Sequence, residues 1–209
     1  MAYNSDIFDV RSPSEAKNII LTPQDGLTPE QRWRTETPYL VELIHNHTNK
    51  GSFVLDYGCG IGRLSKEMVN VGRYVTGVDI SWSMRALAND NVRSERFMDC
   101  SPEWFYQLML VGKMGYDLGL AVWTLQHCEN PEKDIYLIQQ ALTPRAGQLF
   151  VVNNRRRVVP TDKGWVDDGL DIDSMLREAC KECLFKDVLD PNIVGPVVSG
   201  NTFWAVYQF

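Results

Sequence analysis

Short apolar runs and amphipathic segments alternate along the middle of the chain. Runs such as FVLDY, YVTGVDI and GQLFVVNN are rich in β-branched residues and too short for typical helices, which predicts buried strands. Most are followed by a segment whose apolar residues recur every three or four positions, the period of an amphipathic helix. This alternation predicts an α/β fold with a parallel sheet and helices on both faces.

The same pattern sets approximate element boundaries. The predicted strands are 53–57, 74–80, 95–100, 116–125, 147–154, 184–190 and 202–209, and the predicted helices are 62–72, 81–91, 102–112, 131–142 and 171–184. Upstream, Thr28 and Pro29 are typical of a helix start, and Pro38 is expected to kink or break that helix. Residues 1–26 are predicted to be irregular.

Bulk composition is that of a globular protein, with 44% hydrophobic and 23% charged residues among 209. The net charge of −6 and the pI near 5.1 argue against nucleic acid or an anionic membrane surface as the main partner. No apolar run is long enough to span a membrane, and the N-terminus lacks the pattern of a secretory signal. We expect a cytoplasmic protein, and the sequence does not predict its oligomeric state.

The five cysteines show no disulfide framework, which agrees with a reducing compartment. Cys180 and Cys183 form a C-x-x-C pair, which would lie on one face of the predicted helix 171–184. Neither a second pair nor a nearby histidine completes a metal site, so we expect plain helix-face thiols and no bound metal.

The stretch VLDYGCGIGRLS places Gly58, Gly60 and Gly62 between the first predicted strand and its helix. Glycines this close weaken regular structure, so the loop must require bare backbone. Free N–H groups and the helix dipole at such a turn suit a phosphate or a carboxylate. A P-loop would need a Lys-Ser/Thr pair, which is absent. A dinucleotide site would need a small third residue where Arg63 stands.

Acidic residues follow neighbouring strands at the same predicted sheet edge. Asp56 precedes the glycines, Asp79 ends the second strand, and Asp99 ends the third. The Asp79 carboxylate suits two ribose hydroxyls, and Asp99 is placed to accept from an adenine amino group beside the N–H of Cys100. Since open parallel sheets bind ligands beyond the carboxyl ends of their strands, the set predicts a site for an adenosine with a short, charged, phosphate-free tail.

The motifs VLDYGCGIGRLS, VTGVDIS, FMDC, YDLGLAVWTLQH and GQLFVV resemble, in order and spacing over residues 50–155, those of class I S-adenosylmethionine-dependent methyltransferases. The resemblance implies a Rossmann-like, mostly parallel sheet of seven strands with a C-terminal antiparallel strand, and S-adenosylmethionine as the cofactor. It also implies that the glycines pass the methionine part, that Arg63 clamps its carboxylate, and that Ile80 packs on the adenine. The implied cofactor set is Asp56, Gly58, Gly60, Gly62, Arg63, Asp79, Ile80, Asp99, Cys100 and Val122.

The sequence gives weaker indications of the residues that would bind or activate the methyl acceptor. His127, after the fourth strand, either acts as a general base near neutral pH or packs within its loop. A looser resemblance to protein N-terminal amine methyltransferases implies that Asn154 and Asp168 orient and deprotonate an amine. The family resemblance also implies one domain over residues 1–209, with 1–48 as a lid on the substrate side. The candidate substrate contacts are Trp33, Arg34, Tyr39 and Trp123.

Missing motifs narrow the acceptor. Neither an Asp/Asn-Pro-Pro-aromatic motif nor a Pro-Cys nucleophile follows the fourth strand, which argues against methylation of DNA bases. Only about 18 residues, 155–172, separate the fifth strand from its helix, so no large substrate domain is inserted there. We expect a methyltransferase acting on a small molecule. The alternatives are a peptide N-terminus as the acceptor, or cofactor binding without turnover.

Overall fold

The structure is a computed structural model and describes residues 2–112 and 115–209. Its strands are β1 (Phe53–Tyr57), β2 (Tyr74–Val78), β3 (Phe97–Cys100), β4 (Leu118–Val122), β5 (Gln148–Asn154), β6 (Val159–Thr161), β7 (Gly164–Val166), β8 (Glu182–Asp187) and β9 (Thr202–Gln208). Its α-helices are α1 (Pro13–Ile20), α2 (Pro29–His47), α3 (Arg63–Asn70), α4 (Trp82–Val92), α5 (Pro102–Val111), α6 (Pro131–Ala141), α7 (Ile172–Ala179), α8 (Pro191–Val194) and α9 (Pro196–Asn201).

Seven strands form one sheet in the order β3-β2-β1-β4-β5-β9-β8. Strands β1 to β5 pair in parallel, whereas β9 runs antiparallel to both β5 and β8. The predicted Rossmann-like sheet with a C-terminal antiparallel strand is therefore confirmed. Strand order reverses between β1 and β4, which is where open α/β sheets bind their ligands.

Helices cover the sheet on both faces, as predicted. One layer packs α2 and α3 on the sheet through Ile44 and Met68. The other layer packs α5, α6 and α7 through Phe105, Ile138 and Leu176. All five side chains are buried. Because both faces are covered, the parallel strands are mostly apolar, and their polar residues, such as Asp56 and Asp99, lie toward their carboxyl ends.

The N-terminal residues are more regular than predicted. A 3-10 helix spans Ser5–Phe8 and α1 spans Pro13–Ile20, so the prediction of an irregular segment 1–26 is wrong. The start signal was present, since the Ser12 side chain accepts from the Glu15 N–H and Pro13 occupies the first helical turn. A backbone hydrogen bond from Asn4 to Pro160, at 3.0 Å, ties this segment to β6.

Helix α2 begins at the predicted cap and continues past Pro38, which does not break it. Its buried face is not purely apolar. Arg32 and Glu36 lie beside Leu40 and Ile44 on that face, and both charged side chains are buried. Their pairing one helical turn apart is what permits two charges in this position.

The C-terminal helix is shorter than predicted. It ends at Ala179 and β8 begins at Glu182, so the prediction of a helix over 171–184 is wrong. Lys181 donates its backbone N–H to Gln208 at 2.9 Å, which starts the pairing of β8 with β9. Cys180 and Cys183 therefore do not share a helix face. The short β6, β7, α8 and α9 were not predicted, because elements of three to six residues carry too little periodicity.

Within residues 2–112 and 115–209, no helix is long and apolar enough to cross a membrane. No group of three or more His, Cys, Asp or Glu side chains in those ranges could hold a metal ion.

Candidate functional site

A cavity of about 940 Å³ opens at the carboxyl ends of the central strands. Its wall includes Tyr57, Val78 and Val122, the last residues of β1, β2 and β4. We call the part formed by Asp56, Gly58, Gly60, Arg63, Asp79 and Ile80 the glycine-loop half. We call the part formed by Tyr3, Phe8, Trp123, His127, Asn154 and Trp165 the aromatic half. The volume lies in the usual range for small-molecule sites.

The glycines of the loop have left-handed backbone and close neighbours. Gly58, Gly60 and Gly62 have φ values of 78°, 53° and 72°. A Cβ at Gly58 would lie 2.1 Å from Oγ1 of Thr124, and one at Gly60 would lie 2.9 Å from Cδ1 of Ile20. The predicted requirement for bare backbone thus has a steric cause as well as a conformational one.

Asp79 fastens this loop from the end of β2. Its Oδ2 accepts from the Gly60 N–H at 2.8 Å, and its Oδ1 accepts from the Ser81 N–H at 3.0 Å. Burial raises the pKa of Asp79, and the two backbone hydrogen bonds oppose that rise. Each oxygen accepts one of these bonds and keeps acceptor capacity for a ligand. Ile80 follows on the cavity wall and is 42% exposed.

Asp56 is a second buried carboxyl on the cavity wall. Its Oδ2 accepts from the Ser65 hydroxyl at 2.6 Å. Burial raises the pKa of Asp56 to about 6, while the Ser65 hydrogen bonds and the Arg63 charge oppose the rise.

Arg63 is a buried cation without a full set of acceptors. Its side chain lines the cavity, and within the described residues Nη1 has no hydrogen-bond partner. Burial lowers the pKa of Arg63 to about 10, with the Glu36 charge opposing that shift. Its guanidinium also stacks over the Trp33 ring, at 5.7 Å from the centroid. A buried donor of this kind needs an anionic acceptor, and a carboxylate matches its fork.

A second arginine lines the same cavity and was missed by sequence reasoning. Arg32 donates from Nε to Oε1 of Glu36 at 2.5 Å and from Nη1 to the Thr22 carbonyl at 2.8 Å. The signal that could have revealed it is the Arg-Glu pair four positions apart on the otherwise apolar face of α2.

The aromatic half is assembled from distant segments. The His127 ring lies 5.1 Å from that of Trp165 and 6.3 Å from that of Phe8. Its Nδ1 lies 2.6 Å from the Val158 carbonyl, and its Nε2 lies 3.0 Å from Nε2 of Gln126. The carbonyl requires a proton on Nδ1, so Nε2 accepts from the Gln126 amide. Burial lowers the pKa of His127, which keeps the ring neutral.

The methyltransferase domain family matches residues 55–150 of the chain. This range runs from β1 through β5 and carries both the glycine loop and the loop after β4. Residues 55–150 form a class I S-adenosylmethionine-dependent methyltransferase domain. The predicted family is thereby confirmed, with S-adenosylmethionine as the cofactor of the class.

Relatives and solved structures agree with this domain assignment. A protein of Idiomarina loihiensis named ubiquinone biosynthesis O-methyltransferase is 30% identical over 138 residues, which cover 62% of this chain and 52% of that protein. The chain thus spans about half the length of the relatives it matches.

Two solved structures share the fold. Magnesium protoporphyrin IX methyltransferase from Synechocystis PCC 6803, solved with bound SAH, superposes with a TM-score of 0.61 at 16% identity, covering 98% of this chain and 97% of its own. The cyclase SpnF superposes with a TM-score of 0.60 at 19% identity, covering 81% and 80%. At such identities the likeness shows the fold alone.

The methyltransferase domain brings most of the predicted cofactor residues to one cavity, but not Gly62, Asp99 and Cys100. The Asp99 carboxylate pairs with Arg85 at 3.4 Å and accepts from Asn89 at 2.6 Å, while Cys100 is buried in the core. Neither side chain lines the described cavity. Their predicted contacts with adenine stay predictions.

The predicted catalytic residues are divided between two places. His127 and Asn154 line the cavity, whereas Asp168 does not. Both oxygens of Asp168 accept from Nε of Arg157, at 3.0 and 2.9 Å. Arg157 is fully buried and also donates to the carbonyls of Leu125 and Glu129, in the loop after β4. Asp168 is therefore the counterion of a buried structural arginine.

The predicted substrate contacts are divided as well. Trp123 lines the cavity with a positive φ of 61°, and within the described residues its buried Nε1 has no hydrogen-bond partner. Trp33 packs behind Arg63, Arg34 pairs with Glu30 at the surface, and the Tyr39 hydroxyl accepts from the Asp190 N–H. These three do not line the described cavity. Its N-terminal wall comes from Tyr3, Phe8, Ile19 and Ile20 instead.

Proposed function

We propose that this chain transfers the methyl group of S-adenosylmethionine to an oxygen atom of a small aromatic acceptor. The observation that carries the proposal is the single cavity in which the glycine loop and the unpartnered Arg63 guanidinium meet a wall of aromatic side chains. Because the matched relatives are about twice as long as the matched segment, the activity is proposed for this chain rather than transferred to it.

The glycine-loop half fits the cofactor. Arg63 and the nearby Arg32 supply buried positive charge for a carboxylate, and Asp79 supplies acceptors for ribose hydroxyls. Gly58 and Gly60 present bare backbone on the cavity wall, where the methionine part of the cofactor would pass. When bound, S-adenosylmethionine supplies an activated methyl group and a neutral leaving group. The residues of this half then serve to hold and orient it.

The aromatic half fits a planar acceptor. The rings of Phe8, Trp165 and His127 meet edge to face or tilted, which leaves apolar surface for another ring. The N-terminal segment that carries Tyr3 and Phe8 covers this part of the cavity, and we propose it as the lid. A covered site excludes water, which would otherwise compete with the acceptor.

A peptide N-terminus is less well supported as the acceptor. That reading needs Asp168 beside the amine, and Asp168 instead holds Arg157 outside the cavity. Relatives named O-methyltransferases favour oxygen over nitrogen. Cofactor binding without methyl transfer is the second alternative, and a transfer assay distinguishes it from catalysis.

Two measurements test the proposal. Calorimetric titration with S-adenosylhomocysteine should show binding that falls roughly 10- to 100-fold in Arg63→Met, since a hydrogen bond to a charged group contributes about 1.5–3 kcal/mol. The matched control Arg34→Met, which removes an arginine that is 75% exposed outside the cavity, should bind as the wild type does.

Methyl-labelled cofactor should then be offered with a panel of phenols and catechols and, separately, with N-terminal peptides. Labelled phenol ethers are the expected product. Labelled peptides would favour a peptide N-terminal amine as the acceptor. Cofactor binding without transfer to any acceptor would favour a protein that binds the cofactor without turnover.

A further inference from the structure

A half-buried carboxylate lies on the cavity wall beyond the residues considered so far. Asp134, in the N-terminal part of α6, lines the cavity together with its neighbour Lys133. None of the ion pairs within the described residues involves Asp134. Burial raises the pKa of Asp134, and hydrogen bonds from Tyr57 and Cys128 oppose the rise. A carboxylate on a cavity wall without a paired cation is a candidate functional group.

Its position is fixed by Tyr57. The Tyr57 hydroxyl donates to Oδ1 of Asp134 at 2.5 Å, and both side chains line the cavity. Tyr57 ends β1 and directly precedes Gly58, so the pair lies beside the glycine loop at the point where strand order reverses. Oδ1 is thus occupied by a neutral donor. The carboxyl also accepts from the thiol of Cys128, a weak donor, so it keeps acceptor capacity on the cavity wall.

The surroundings of this pair combine acidic and polar groups from several elements. Glu129 after β4 and Asp134 both act electrostatically on Tyr3 of the N-terminal segment, and Arg157 after β5 acts on both Tyr3 and Asp134. Glu103 of α5 acts electrostatically on Tyr57. The region therefore joins the loop after β4 to the aromatic half, where the acceptor is proposed to bind.

His127, the candidate general base from the sequence, has both ring nitrogens engaged. Nδ1 donates to the Val158 carbonyl and Nε2 accepts from Gln126. Neither nitrogen offers a free lone pair to an acceptor hydroxyl unless the Gln126 amide moves. Asp134 has a free lone pair without any rearrangement.

We propose that Asp134, positioned by Tyr57, takes the proton from the acceptor hydroxyl, an inference that rests on the proposed function. The acceptor oxygen forms the new O–CH₃ bond as the S–CH₃ bond breaks, and the bonding pair of the broken bond returns to sulfur. The hydroxyl proton moves to Oδ2 of Asp134 and later leaves to solvent. Asp134 is then the catalytic residue, and Tyr57 is a positioning residue.

Acceptors of different acidity test this role. With an un-ionised phenol, Asp134→Asn should lower kcat about 10²- to 10³-fold, the range for a lost general base, and Tyr57→Phe should lower it about tenfold. With 4-nitrophenol, ionised at the assay pH, the Asp134→Asn defect should shrink to within about tenfold because no proton has to be removed. Glu132→Gln, an exposed change on the same helix, is the matched control. Equal defects with both acceptors would overturn the proposal.

A binding measurement separates this inference from the proposed function. The ionisation of 4-nitrophenol bound to protein saturated with S-adenosylhomocysteine can be followed by its absorbance. Removing a carboxylate in contact with the hydroxyl should increase the ionisation constant of the bound phenol about tenfold in Asp134→Asn. Absence of methyl transfer with this shift present contradicts only the proposed function. An unchanged ionisation constant, or no binding of the phenol, overturns the role of Asp134.

Discussion

The two halves of the cavity are built from the chain in different ways. The glycine-loop half comes almost entirely from one β-α-β unit, in which Asp56, Arg63 and Asp79 follow each other over β1, α3 and β2. The aromatic half joins Phe8, His127 and Trp165 from three separate segments. A site formed within one unit leaves a motif in the sequence. A site formed by tertiary contacts between distant segments leaves none.

The largest effect that can test the comparison is expected at Gly58. Gly58→Ala places a methyl group against Thr124 at a φ of 78°, which should destabilise the fold by about 2–4 kcal/mol and abolish measurable cofactor binding. Urea unfolding and calorimetry measure the two effects. Gly200→Ala is the control, since no atom outside its own helix backbone and chain neighbours lies within 4 Å of its Cβ position, and the variant should change stability by less than about 1 kcal/mol. Equal behaviour of the two variants would show that the loop does not depend on bare backbone.

A smaller effect concerns the buried carboxyl of the glycine-loop half. The pKa of Asp56 is raised to about 6, so between pH 4 and 6 the folded protein holds a proton that the unfolded chain has lost. Stability therefore falls as the pH rises through this window. Relative to Asp56→Asn, the wild type should lose at most about 3 kcal/mol between pH 4 and 7. Urea unfolding of both proteins across that range measures the difference, and parallel curves would contradict it.

Sequence reasoning succeeded where local signals act. The order of strands and helices, the glycine turn and the place of Arg63 could be predicted because each depends on residues close in sequence, whereas β2 and β4 end two to three residues earlier than predicted. Asp99 shows the limit, since its carboxylate is held by Arg85 and Asn89 of α4. Asp168 shows the same limit. Only the tertiary structure reveals that Arg157 is buried and that Asp168 is its counterion. Asp99 and Asp168 both carry a carboxylate of the kind that a binding or catalytic site needs. Their tertiary contacts with arginine and asparagine side chains show which of these carboxylates have other partners.

The smallest effect tests the aromatic half. Trp165→Ala removes a ring that contacts His127 and Phe8, so the acceptor KM should rise about tenfold, in line with an aromatic contact of about 0.5–1.5 kcal/mol. Affinity for S-adenosylhomocysteine should stay within about twofold. Trp82→Ala, at a position 74% exposed and outside the cavity, is the control. A change in cofactor affinity equal to the change in KM would show that the two halves are not separable.

Trp123 gives the protein an intrinsic optical reporter. Its indole lines the cavity, and within the described residues its buried N–H has no protein partner, so a ligand that offers a hydrogen bond or stacks on the ring would alter its emission. Trp82 and Trp104, at 74% and 59% exposure, lie outside the cavity and add a background that does not respond to a ligand there. Replacing both with phenylalanine would leave Trp33, Trp123, Trp165 and Trp204, of which Trp123 and Trp165 line the cavity. Occupancy of the cavity could then be followed in stopped flow without any label.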